Sequence, residues 1–154
     1  MQTCAATRFP TLFLSSRFTE KTMEKIVEIN DYDDIYGRLN VSGFEVVTTE
    51  QRIRLFIDNR QLSCEQWGYF WCNDHPQDFV GAELYGVTLT DTALSETRMK
   101  ANELDQSAIE LGVMFVNLET NKGTLQFVAY NDHNGFYGHE ATVQCSQLHH
   151  KETL

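Results

Sequence analysis

The feature that most constrains this chain is a side-chain period of two. Phe44, Val46 and Thr48 alternate with Glu45, Val47 and Thr49, and after a short polar break Ile53, Leu55 and Ile57 alternate with Arg52, Arg54, Phe56 and Asp58. Successive side chains of an extended backbone point to opposite faces, so each run forms a strand, and the short break between them predicts a hairpin. Further strands are predicted over 82–90, 112–118, 123–130 and 136–144, where aromatic and β-branched residues gather between turn residues. The segment Glu119-Thr120-Asn121-Lys122-Gly123 joins two of them with the chemistry of a tight hairpin.

Two stretches depart from that period. Residues 31–40 are acidic and turn-prone, with Ile35, Tyr36 and Leu39 spaced for one or two helical turns. From 92 to 110, Ala93, Leu94, Met99, Ala101, Leu104, Ala108 and Ile109 sit among polar residues of good helix propensity, which predicts a helix or a mobile excursion between strands. The expected architecture is therefore α+β: a single domain dominated by a twisted antiparallel β-sheet with one or two short helices. A chain of 154 residues that is 42% hydrophobic and 12% aromatic is sized for one core and too apolar for intrinsic disorder.

Charge divides the chain unevenly. The first 22 residues carry Arg8, Arg17 and Lys21 against Glu20, whereas nine basic and 21 acidic residues follow, and the whole chain has a formal net charge of −10. Phe9-Pro10-Thr11-Leu12-Phe13-Leu14 falls far short of the roughly 18–20 apolar residues that cross a bilayer, and is short even for a secretory signal. The reading is a flexible N-terminal extension over 1–22, an acidic domain over 23–148 and a C-terminal tail over 149–154. An acidic domain is a poor direct binder of phosphate backbones, whose affinity draws on Lys and Arg releasing counterions.

Cysteine and histidine fall into two groups, Cys64 with Cys72 and His75, and His133 with His139, followed by Cys145. Thiolate and imidazole are the ligands zinc prefers, four at a time in a structural site. By the period of two, Tyr137, His139, Ala141, Val143 and Cys145 share one face, so His139 points inward and needs a partner for each ring nitrogen. A metal on one nitrogen and a carboxylate or carbonyl on the other would satisfy both. The spacing lacks the Cys-x-x-Cys or His-x-x-x-His form of a finger or zincin, so four other readings stand beside a structural zinc. Cys64 and Cys72 are free thiols or a disulfide, His133 is a turn residue, and His139 is a core histidine bonded to backbone.

The same residues allow an enzyme. Asp132, His133 and His139 could hold a catalytic metal with Glu65 or Asp74 as base, making a metal-dependent hydrolase. No nucleophile elbow, Walker loop, dinucleotide-binding glycine pattern or metalloprotease helix accompanies them. The aromatic run Trp67, Tyr69, Phe70 and Trp71, and the pair Phe136 and Tyr137, read as packing around the site, with protein-binding anchors as the alternative.

Cys64-Glu65, then Asp78-Phe79-Val80-Gly81-Ala82-Glu83-Leu84, then Asn131-Asp132-His133-Asn134-Gly135-Phe136-Tyr137-Gly138-His139 resemble a small domain family of phages and prophages over roughly residues 44–146. The chain is also similar to type II anti-CRISPR proteins, some of which contain zinc. That resemblance implies a non-enzymatic inhibitor in the cytoplasm of a bacterial host, binding the type II RNA-guided effector nuclease and blocking target DNA loading, with a structural zinc held by Cys64, His133 and His139. Cys72, His75 and Cys145 are the candidates to complete that set. Asp31, Asp33 and Asp34, and Glu96, Glu103, Asp105 and Glu110, are the expected contacts to a basic channel, against the plainer reading of a solvated acidic face. A zinc-stabilised domain with another protein partner is the remaining alternative.

Overall fold

The alternating runs pair into nine strands in the computed structural model, which describes residues 21–104, 112–132 and 137–154. In chain order these are β1 (Ile26–Tyr36), β2 (Leu39–Thr48), β3 (Arg52–Asp58), β4 (Gln66–Trp71), β5 (Leu84–Thr90), β6 (Val113–Thr120), β7 (Gly123–Asp132), β8 (Glu140–Gln144) and β9 (His149–Thr153), with one short helix, α1 (Glu96–Ala101). They form two antiparallel sheets, ordered β1-β2-β3-β8-β9 and β4-β7-β6-β5.

One dry core lies between the sheets. Ile29, Val46, Ile53, Leu55, Ile57, Ala141 and Val143 face Trp71, Val87, Met114, Val116, Leu118, Leu125, Phe127 and Ala129 across it. Phe44 bridges the layers: its ring stacks on Trp71 with centroids 4.7 Å apart, and meets Tyr69 and Phe127 edge-on. The opposite face of the four-stranded sheet carries a smaller cluster, Phe70, Cys72, Phe115 and Val128, which α1 and its C-terminal exit cover with Met99 and Leu104. Ser95 caps α1, its hydroxyl accepting from the Arg98 N–H at 3.3 Å. Gln126, 1% exposed, holds the approach to the helix, accepting from the Leu94 N–H and donating to the Thr92 carbonyl.

The hairpins at 44–58 and 119–123 form as the alternation predicts. In the second, Thr120 pairs with Gly123 and its hydroxyl closes the turn on the Gly123 carbonyl and the Lys122 N–H.

Two expectations need correction. Residues 31–36 are strand, not helix, and pair with β2 up to Tyr36–Leu39 across a two-residue turn. Gly37, at φ +67°, takes the left-handed position that opens this turn. Tyr32 and Tyr36 lie on one face and Asp31 and Asp33 on the other, a strand alternation written in polar residues. Residues 149–153 are not a tail, because β9 pairs with the whole of β8. Within 92–104 the expected short helix forms over six residues, and residues 105–110 of the predicted segment lie outside the described residues. Residues 1–20, within the expected extension, lie outside the described residues.

The β1–β2 hairpin reaches only two residues and its turn beyond Val41–Asp58, the last pair of β3, and the Asn59 N–H still bonds the Asn40 carbonyl at 3.0 Å. The outward face of the hairpin is closed by aromatic contact. Gly43 lies between Tyr32 and Phe56 in the cross-strand row, and without a side chain there Tyr32 reaches Phe56 at 5.7 Å, while Tyr36 reaches it at 5.2 Å. Arg54 and Lys151 cover the two tyrosines from above.

Two substitutions check this packing. Phe127→Ala should lower unfolding free energy by about 3–5 kcal/mol, the cost of a large core truncation. Glu103, a non-glycine residue at φ +61° just past α1, is the opposite case: Glu103→Gly should raise stability by about 0.5–1 kcal/mol. Denaturant titration of each variant reads both changes.

Candidate functional site

The most concentrated buried chemistry lies where the β3–β4 connection meets the start of β8. Asp58 ends β3 and is clamped by Arg60, whose Nε and Nη2 donate to its carboxylate at 3.0 and 2.8 Å. The chain then turns so that Glu65 points inward, where Oε1 accepts from the Leu62 N–H at 2.6 Å and Oε2 from the Ser63 N–H at 2.7 Å. His139 enters from the other side, with Nδ1 2.7 Å from the Asp58 carbonyl oxygen and Nε2 3.2 Å from Glu65 Oε1. Trp67 stacks on the imidazole at 5.4 Å, and its indole N–H donates to Gln61. The side chains of Glu65 and His139 are both 0% exposed.

This arrangement fixes the protons. A carbonyl only accepts, so Nδ1 carries one. Burial alone would raise the Glu65 pKa, but the Leu62 N–H, its own backbone N–H, His139 and the Ser63 N–H outweigh it and hold the carboxyl at about 2. The carboxylate therefore keeps its charge, and both ring nitrogens of His139 have protein partners, Nδ1 at the Asp58 carbonyl and Nε2 at Glu65.

Two of the expected metal ligands, Cys64 and Cys72, lie at opposite ends of β4. Cys64 is exposed at the near end of β4, while Cys72 is buried at its far end, where its thiol donates to the Ser95 carbonyl and burial pushes its pKa up. β4 separates them by roughly 20 Å at the rise of an extended chain, which rules out a disulfide and a shared ion. His75 follows Cys72 at that far end, opening a 3-10 turn over Pro76–Phe79. Cys145 is a free, half-buried thiol beyond β8 that packs against the main core. His133 lies outside the described residues, and Asp132 is exposed at the end of β7. Among the described residues, no three His, Cys, Asp or Glu side chains are grouped to hold a metal ion.

The aromatic run divides by face. Tyr69 and Trp71 pack into the main core, Phe70 turns to the second cluster beside Tyr130, and Trp67 covers His139. The acidic candidates divide as well. Asp31, Asp33 and Asp34 are exposed on β1, whereas exposed Glu96 and Glu103 flank a helix on the outer side of the other sheet, so they form two surfaces. Asp105 and Glu110 lie outside the described residues. No helix among the described residues is long and apolar enough to cross a membrane.

A family model, Domain of unknown function (DUF7448), matches residues 19–143, from ahead of β1 into β8. The chain belongs to this family. No curated protein and no solved structure matches it. The DUF7448 match therefore spans Glu65, Trp67 and His139. Of these, the inward parity of His139 is legible in the sequence, whereas Glu65 carries no periodic signal and is fixed by the two N–H groups of its own turn.

The Glu65 pKa sets a pH window. A carboxyl held below its ordinary 4.5 contributes stability that is complete above that value and is lost as pH falls toward about 2. Glu65→Gln should therefore be clearly less stable than the parent protein at pH 7, with the gap closing between pH 4.5 and 2. Thermal unfolding across pH reads it; a gap independent of pH would contradict the assignment of charge.

Proposed function

We propose that this domain acts by binding, presenting an acidic edge strand to a basic macromolecular partner. The observation that carries the reading is the placement of Asp31, Asp33 and Asp34, all exposed, on β1, the edge strand of the five-stranded sheet. A net charge of −10 supports the same reading, through electrostatic steering of a positively charged surface. Glu65 and His139, the pair with most chemical potential, are sealed beneath Trp67 and serve the fold.

Through the resemblance described above, the partner is the type II RNA-guided effector nuclease in the cytoplasm of a bacterial host, whose nucleic-acid channel is positively charged. Occupying that channel blocks target DNA loading without any chemical step. The test is a DNA-binding assay of the guide-loaded nuclease with increasing amounts of this protein. Loss of DNA binding near equimolar addition, relieved by added salt and by Asp31→Asn with Asp33→Asn and Asp34→Asn, is the expected result. Unchanged DNA binding at large molar excess would overturn the nuclease as partner.

A further inference from the structure

β1 is the edge of its sheet, and its outer side is covered over only part of its length. Ile26 exchanges backbone hydrogen bonds with Gly81 and Ala82, at 2.8 and 2.9 Å, and the Ile29 carbonyl accepts from Gln77 Nε2 at 3.0 Å. Beyond that point no strand among the described residues lies beside β1. The register with β2 runs unbroken from Glu28 to Tyr36, so peptide groups alternate in direction. Because the Ile29 carbonyl points outward, those of Asp31, Asp33 and Ile35 do too. The Ile35 N–H is taken by Asp34 Oδ1 at 2.7 Å, which leaves the N–H and C=O groups of Asp31 and Asp33 and the Ile35 carbonyl along the open edge.

Resting on the binding reading above, we infer that the open edge of β1 receives its partner by strand addition, pairing with an extended segment in which basic residues alternate with apolar ones. The charge pattern selects that occupant. Asp31 and Asp33 share one face of the strand with Ile35, which is 69% exposed, while Asp34 and half-buried Tyr32 and Tyr36 lie on the other. An added strand with Lys or Arg opposite the aspartates neutralises them, while its apolar residues, on the other face, lie beside Tyr32 and Tyr36. A second copy of β1 fits poorly, because pairing the strand with itself sets carboxylates against carboxylates. Acidic residues thus close the edge to self-association and leave it open to one class of partner.

The probe is a synthetic peptide of about eight residues alternating Lys and Val, long enough to span the open edge. Its controls are the same peptide with every backbone nitrogen methylated and a Glu-Val peptide of equal length. With the full chain, the Lys-Val peptide should bind and slow hydrogen exchange at the Asp31 and Asp33 amides. The methylated peptide should bind at least about tenfold more weakly, since the charge is kept and the ladder donors are lost. Asp33→Pro should weaken the Lys-Val peptide more than Asp33→Asn does, because both lose the carboxylate and only the proline also loses the outward N–H. Equal binding of both Lys peptides, and equal binding to Asp33→Pro and Asp33→Asn, would overturn strand addition and leave the acidic binding reading standing. Equal binding of the Glu-Val peptide, or no binding of any, would overturn both.

Discussion

Phe44 lies nearly parallel to Trp71, and the remainder of the domain is arranged so that this contact between sheets can exist. It requires β2 to present its even-numbered residues to β4, which fixes the faces of β3 through their shared register and then that of β8 through β3. A slip of one residue anywhere along this series would exchange Val46, Leu55 and Val143 for Glu45, Arg54 and Gln144 in the interior. Those polar residues instead occupy the outer face, where Arg52 and Arg54 bracket Glu45 at 2.6 and 2.9 Å and hold its carboxyl below the ordinary range against the opposing effect of burial.

At the end of this core, the Glu65 carboxylate and the His139 imidazole ring are removed from water. Such a pair is stable only when each remaining polar atom finds a partner, and here the Asp58 carbonyl and the Leu62 and Ser63 N–H groups supply them. The arrangement acts as a clasp between β3, the β3–β4 connection and the start of β8, segments 74 and 81 residues from His139 in sequence. It also sets Trp67, and so the angle at which β4 enters the second sheet. Glu65 and His139 thus join segments far apart in the sequence.

The alternation at 44–58 and the turn at 119–123 were legible because each face of those strands has its own chemistry. β1 and β9 were not, because edge strands bury little: Asp31, Asp33, Lys151 and Thr153 face solvent, and a period of two among polar residues resembles a loop. Ile35, Tyr36 and Leu39 satisfied a helical spacing only because a hairpin turn happens to fall between them. The inward direction of His139 followed from parity alone. Its partners did not, since thiols near in composition lost to a carboxylate and a carbonyl brought there by the path of the chain after β3. Cys64 and Cys72 looked paired in sequence, yet the strand between them holds them at opposite ends.

Phe56 is 1% exposed although it points away from the core, because Tyr32 and Tyr36 lie across it. β1 is consequently fastened down before anything touches it. An extended segment pairing with its open edge meets a preorganised template, so the conformational ordering on association falls mainly on the incoming segment, and residence time depends on how readily that segment straightens.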